Sequence, residues 1–424
     1  MGKRTWGLMM SRSVYAVATM DTKGHELAYV AERLEAAGVL VVTVDVGTLE
    51  PPVVHPDVDR YTLACCHPTE AGRDLALSDD ADRGQMIGAM AEALEVFLRR
   101  ENDAGRVAGV IGIGGSGGTV LITNAMRALP IGLPKVMVST VASGNVAPYV
   151  GSSDITMMYS VVDIAGLNAV SRRVLGNAAH AMAGMVQHAI PRSQDKPTLG
   201  MTMFGVTTPC VTAVREALET QGFDCLVFHA TGTGGRSMEK LVEAGLIRGV
   251  LDITTTEVAD EVVDGILPCG PQRFEAIIRA KIPFVLSLGA LDMVNFGALS
   301  TVPERFQNRR LHVHNAQVTL MRTTPEENRQ CARWIASKLN RAEAPFRILI
   351  PEGGVSAIDA PGQPFYDPEA NAALFDELES VVLPEPGRSI RRLPLHINDP
   401  AFARALVDEF LGLDRGQPEN NDNV

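Results

Sequence analysis

The chain alternates short, uninterrupted apolar runs with longer stretches of helical periodicity. "VYAVATM" (14–20), "VLVVTVDV" (39–46) and "VAGVIGI" (107–113) are apolar at nearly every position, which predicts strands buried on both faces. Between them, residues 24–37 and 82–100 repeat apolar positions at helical spacing, and Gly38 is placed to end the first helix. "KVMVSTVAS" (135–143) reads as a strand ending in small hydroxyl residues, and 168–189 as a long helix. Strands alternating with helices in this way predict a parallel sheet covered by helices on both faces.

The polar stretch "IPRSQDKPT" (190–198) reads as a linker, after which the pattern restarts. Shifted by 184 residues, 17–48 lies over 201–232 without a gap, and Gly38 falls on Gly222. The shared layout is strand, polar loop, helix, glycine, strand; duplication and the general frequency of βαβ units explain it equally well. Further strands are expected at 249–255, 283–289 and 346–354. The fold class is therefore α/β, with a first domain over 1–190 and a second over 191–424.

Composition narrows the function classes. The 424 residues are 46% hydrophobic and 21% charged, enough to build large cores. A net charge of −12 argues against sequence-independent nucleic-acid binding, which needs a basic footprint. The six cysteines show neither a C-x-x-C pair nor zinc spacing, so a reducing cytoplasm fits. The first residues carry no signal-peptide pattern, and no apolar run is long enough to cross a membrane.

Ligands of open α/β sheets bind beyond the carboxyl ends of the strands, so the loops there hold the candidate chemistry. The strongest is "GIGGSGGT". Gly112, Gly114 and Gly117 fit the dinucleotide fingerprint, and Gly112 to Thr119 fit the Walker A frame, with Gly118 where its lysine belongs. Consecutive glycines opening a helix let backbone amides converge on an anion. The dinucleotide reading also wants an acid at the end of the following strand, where Ser139 and Thr140 stand instead.

The neighbouring loops offer replacements. In "TMDTKG", Thr19, Thr22 and Lys23 suit phosphate, and Asp21 suits either magnesium or a helix cap. Asp45 is a ribose acceptor or a solvated strand-end acid, and Ser143, Gly144 and Asn145 form either a ligand loop or an ordinary turn. In the second domain Gly232, Thr233, Gly234, Gly235 and Arg236 form another candidate anion loop. Asp252, Glu257 and Asp292 are candidate catalytic acids, with Glu352, Asp359 and Asp367 nearby in pattern; His229 is an acid/base candidate because histidine titrates near neutrality. His312 and His314 share one face of an extended segment, the beginning of a metal set without visible carboxylates. Cys210 is either a thiolate at a helix start or a buried small hydrophobe.

Taken together, "VATMDTKG", "GIGGSGGT", "STVASGN", "DITTTEVADE", "GALDMVNFG", "HNAQVTLMRTTPEEN" and "PEGGVSAIDAPGQPFYDPEANAALF" resemble the Tm-one-like ATP-binding family. This bacterial and fungal group is related to the inhibitory region of a tomato protein that blocks tomato mosaic virus replication. The likeness runs from about residue 14 to about 411. It implies two Rossmann-like domains, a homodimer, and ATP bound by the first domain. Matched residue by residue, it places the nucleotide on Gly114, Gly115, Ser116, Gly117, Gly118 and Thr119, with the 19–23 and 139–145 loops beside it. A plant relative carries a TIM-barrel domain beyond the matched region, so the resemblance implies a separate barrel protein as a partner here. Three functions follow. The first is an ATP-using or ATP-regulated enzyme, with magnesium as a possible companion ion, acting on a small-molecule substrate. The second is a nucleotide-controlled scaffold, and the third an NAD-linked oxidoreductase, ranked last for its missing acid.

Overall fold

A computed structural model describes residues 12–78, 80–188 and 196–414. The linker expected at 190–198 lies outside them as far as residue 195, as do residues 1–11 and the polar tail after Asp414. The chain divides into two compact units, Met1–Pro191 and Arg192–Val424.

The strands of the first unit are β1 (Ser13–Ala18), β2 (Val41–Asp45), β3 (Val107–Gly114), β4 (Lys135–Ser139) and β5 (Thr156–Tyr159). Its helices are α1 (Met20–Ala36), α2 (Arg60–Ala64), α3 (Glu70–Ala76), α4 (Arg83–Asp103), α5 (Ser116–Arg127), α6 (Ala147–Val150) and α7 (Ala169–Gln187). The strands form one parallel sheet in the order β2-β1-β3-β4-β5. Alternate strand residues enter two separate cores. Val14, Ala16, Ile111 and Val138 pack under α1 and α7, while Tyr15, Val17, Val110 and Met137 pack under α4 and α5. A sheet with both faces dry explains the unbroken apolar runs.

Helix α1 starts earlier than its periodicity predicts, because "TMDTKG" is not a free loop. Met20 N donates to Asp45 Oδ1 at 2.9 Å, which draws the chain into a first turn immediately after β1. Lys23 then leaves helical geometry (φ −128°, ψ 19°), so the turn is kinked away from the rest of α1. Caps fix the other starts: the Asp82 side chain accepts from Gly84 N, and Asn168 with Ser171 forms a capping box on α7.

The second unit holds β6 (Thr198–Met203), β7 (Asp224–His229), β8 (Gly249–Thr254), β9 (Phe284–Gly289), β10 (Met293–Phe296), β11 (Leu311–Asn315), β12 (Val318–Arg322), β13 (Phe346–Pro351) and β14 (Arg388–Leu393). Its helices are α8 (Thr208–Thr220), α9 (Thr233–Glu243), α10 (Thr256–Val263), α11 (Glu275–Ala280), α12 (Pro325–Leu339), α13 (Pro368–Val381) and α14 (Pro400–Asp414). Six strands form a parallel sheet, β14-β13-β9-β8-β6-β7; β10, β12 and β11 form a small antiparallel sheet that the periodicity did not predict. Helices α8 and α14 cover one face, and α10, α12 and α13 contribute to the larger core on the other. The aligned segments of the two units both fold as parallel strand, helix, strand, and Gly38 and Gly222 both take positive φ just past the helix end (+80° and +92°).

Candidate functional site

In the first unit, chain order and sheet order part company between β1 and β3. Loops leaving those strands turn to opposite faces, and such a switch point leaves a crevice at the strand ends. A cavity of about 270 Å³ lies there. The start of α1 gives it Thr19, Asp21, Thr22 and Lys23, and the segment after β2 gives Val46, Thr48 and Leu49. The start of α4 gives Arg83 and Ile87, and the start of α5 gives Gly115, Ser116, Gly117, Gly118 and Leu121.

The glycines divide into two kinds. Gly112 and Gly114 serve packing. A Cβ on Gly112 would lie 2.6 Å from Ile122 Cγ2 and 2.7 Å from Met137 Sδ, and one on Gly114 would lie 3.1 Å from the Gly118 backbone. Gly112 is inside β3, so the dinucleotide fingerprint does not form a turn over its first glycine. Gly115, Gly117 and Gly118 are different: none has positive φ, and the nearest neighbour to a Cβ would be Thr140 Oγ1 at 3.9 Å, Ile87 Cδ1 at 3.2 Å and Ile113 O at 3.9 Å respectively. Neither backbone conformation nor close packing demands glycine at 115 or 118. Their bareness keeps the mouth of α5 open.

Gly115 caps α5 without a side-chain bond, so the amides of Ser116, Gly117 and Gly118 have no acceptor among the described residues. First-turn amides with the positive end of a helix dipole behind them favour an anion. Lys23 adds a cation at the same cavity, its Nζ fixed by a 2.7 Å bond to Ile164 O. Asp21 does not cap α1; its Oδ1 accepts from Thr22 Oγ1 at 3.2 Å, and it lines the cavity.

Other expected residues stand behind the cavity and do not line it. Asp45 is fully buried, its Oδ1 accepting from Met20 N and from Gly47 N at 2.8 Å, so it ties two cavity walls together. Burial pushes its carboxyl above the ordinary range, against those two bonds. Thr119 Oγ1 lies 2.6 Å from Ser139 Oγ and also donates to Gly115 O, so both hydroxyls are committed internally. Thr140 N donates to Gly114 O, whereas Ser143, Gly144 and Asn145 are exposed, with Asn145 Oδ1 accepting from Ala147 N. Sequence reasoning missed Arg83, Ile87, Thr48 and Leu49. Arg83 left one signal, an arginine directly after the capping Asp82, where a helix disfavours a cation.

The acids of the second unit have internal partners. Arg273, fully buried, donates to Glu257 Oε1 at 2.6 Å, Asp252 Oδ2 at 2.6 Å and Glu239 Oε1 at 3.0 Å. Glu257 Oε2 accepts from Gly232 N at 2.7 Å, and a Cβ on Gly235 would fall 2.0 Å from Glu257 Oε1. The loop of Gly232, Thr233, Gly234, Gly235 and Arg236 therefore does meet an anion, but the anion is the chain's own Glu257. Asp292 is also fully buried, accepting from Ser356 Oγ at 2.7 Å; burial, then the neighbouring Asp359, push its carboxyl up to about 7. Asp252, Glu257 and Asp292 are thus held inside the fold in place of the open position expected of catalytic acids.

His229 is exposed at the end of edge strand β7, its ring edge-on to Phe204 at 5.2 Å. His312 and His314 sit on β11 with a register irregularity between Val313 and Asn315, and among the described residues no three His, Cys, Asp or Glu are placed to hold a metal. Burial pushes the Cys210 thiol up to about 12, which keeps it protonated and makes it a core residue.

Both units match known families. Residues 12–191 match the model described as "Uncharacterised protein family (UPF0261) N-terminal domain", and residues 196–413 match its C-terminal counterpart. The chain belongs to the UPF0261 family. A UPF0261 protein of Rhizobium meliloti (strain 1021) is 57% identical over 399 residues, covering 94% of this chain and 98% of that protein. A UPF0261 protein of Clostridium tetani (strain Massachusetts / E88) is 45% identical over 406 residues, covering 95% and 99%. The ToMV resistance protein Tm-1 of Solanum lycopersicum is 49% identical over 421 residues, covering 95% of this chain and 56% of the tomato protein. UPF0261 membership thus spans both units, and no helix among the described residues is long and apolar enough to cross a membrane.

Proposed function

We propose that this UPF0261 protein binds ATP at the switch-point cavity of its first unit and uses or senses it in chemistry on a small metabolite. One observation carries the reading: unoccupied first-turn amides of α5, beside Lys23, open on a cavity where Gly115 and Gly118 are bare for no packing reason. Amides at a helix start stabilise phosphate oxygens, and a lysine ammonium offsets their charge. Val46, Leu49 and Ile87 supply apolar wall for a base, and Asp21 is the residue that would face a magnesium ion brought with the nucleotide. The NAD reading is weaker here, because Asp45 is fully buried, its Oδ1 accepting from Met20 N and Gly47 N, and does not line the cavity.

A second reading draws on the second unit. Its strand-end acids Asp252 and Glu257 are paired internally with Arg273, which suits a scaffold whose conformation, dimer or contact with a separate barrel protein responds to ATP. Titration calorimetry on the full chain with ATP and magnesium, and with NAD, tests the shared claim. ATP should bind and NAD should not. Gly117→Val pushes methyl groups toward Ile87 Cδ1, 3.2 Å from the added Cβ, and should abolish ATP binding while leaving the circular-dichroism spectrum unchanged. Wild-type ATP affinity in that variant would overturn the assignment. Turnover of ATP by the wild type then separates an enzyme from a scaffold.

A further inference from the structure

Arg83 is the first residue of α4 and lines the switch-point cavity. This is an unfavourable place for a cation. Helix starts carry the positive dipole end, which favours Asp or Glu and opposes arginine. Helix α4 has no acidic residue in its first turn, and the capping Asp82 carboxylate accepts from Gly84 N at 2.8 Å. The Arg83 guanidinium is exposed and makes no hydrogen bond or ion pair among the described residues. Lys23, by contrast, is anchored on Ile164 O. The cavity therefore holds one fixed cation and one uncommitted cation, the latter working against its own helix. An anion with several charged groups would relieve that conflict.

We infer that Arg83 contacts the terminal phosphates of the nucleotide held at Gly115–Gly118, and thereby sets a preference for triphosphate over monophosphate. The inference rests on the ATP reading above. The amides of Ser116, Gly117 and Gly118 serve the phosphate nearest α5, and Gly118 leaves vacant the position where a Walker frame has its lysine. Each added phosphate needs further positive charge. A guanidinium presents several donors in a planar fork that matches phosphate oxygens in pairs. Arg83 arrives from the β2–β3 connection, a different segment from the α5 loop, so it can close on the outer phosphates without disturbing the inner contacts.

The test is calorimetric affinity of the full chain for ATP, ADP and AMP, each with magnesium, in wild type, Arg83→Gln and Arg83→Lys. A hydrogen bond to a charged group implies that Arg83→Gln weakens ATP by about tenfold or more while AMP changes by less than about twofold. Arg83→Lys should recover part of the ATP affinity. The melting temperature without nucleotide should not fall in either variant, because no hydrogen bond or ion pair among the described residues is lost. Equal weakening of AMP and ATP would place Arg83 on the base or ribose and overturn the inference. So would an unchanged ratio of ATP to AMP affinity, or a lowered melting temperature without nucleotide. A wild-type protein that binds none of the three nucleotides would overturn the ATP reading itself, a distinct result.

Discussion

Replacing Arg273 with methionine would strip three buried carboxylates of the guanidinium they share. Asp252 and Glu257 lie 2.6 Å from its nitrogens and Glu239 3.0 Å away, with both Asp252 and Arg273 closed to solvent. Breaking a buried ion pair by deleting one partner costs about 3–5 kcal/mol, and here three acids lose their partner together. That is a large share of the roughly 5–15 kcal/mol that holds a typical domain folded. The size of the loss should depend on pH. Burial already raises the carboxyls of Asp252 and Glu239 above their ordinary range despite the nearby cation. A carboxyl raised in the folded state contributes stability that is full below its unfolded pKa, about 4, and is lost as pH rises through the folded value. Without Arg273 those carboxyls rise further. The variant should therefore be closest to wild type near pH 5 and furthest from it near pH 8. Urea denaturation of both proteins at the two pH values measures the difference. At pH 8 the deficit should reach about 3 kcal/mol or more, roughly a hundredfold in the folding equilibrium. A variant as stable as wild type at pH 8, or one hurt more at pH 5, would refute the reasoning.

Two further substitutions follow from the same geometry. Asp292→Asn keeps an oxygen to accept from Ser356 Oγ but cannot ionise. Because the wild-type carboxyl is raised to about 7, its contribution declines as pH climbs from the ordinary carboxylate range through that value. Asparagine does not titrate, so wild type should lose stability relative to the variant by up to about 1.4 kcal/mol per pH unit between about pH 4 and 7 and level off above 7, read from urea midpoints at pH 5 and pH 8.5; a difference between the two proteins that is the same at both pH values would count against the assignment. Gly112→Ala should lower thermal stability and Gly118→Ala should not. The first sets a Cβ 2.6 Å from Ile122 Cγ2 and should cost about 1–3 kcal/mol by overpacking. The second meets nothing nearer than Ile113 O at 3.9 Å and lies in the first turn of α5, so it should be neutral or raise stability by up to about 1 kcal/mol. Differential scanning calorimetry that ranks them the other way would refute the division of the glycines.

Periodicity alone located most of the architecture. Unbroken apolar runs marked β1 and β3 because a parallel strand between two helical layers has no wet face. Gly38 and Gly222 were legible because a helix ending in positive φ selects glycine. The small antiparallel sheet was not legible. Its strands β10 to β12 are short, and their pairing is decided by what they pack against.

The site divides in the same way. A glycine cluster after a buried strand announces a helix start with bare first-turn amides, and that much is local. Which glycines are bare because of packing and which are not depends on atoms distant in the chain. Gly112 is explained by Met137 and Gly235 by Glu257, and neither neighbour is predictable from spacing. Arg83 reaches the cavity only because the β2–β3 connection folds back over the switch point. Asp252, Glu257 and Asp292 look alike in sequence to acids that line a pocket. What set them apart was the partner each found on another element, Arg273 for the first two and Ser356 for the third. By itself the sequence determined the layers, the turns and the glycine loop that opens α5, because those follow from period and backbone geometry. Tertiary structure alone decided which charged side chains are free, because a buried carboxylate must find its partner wherever the fold supplies one.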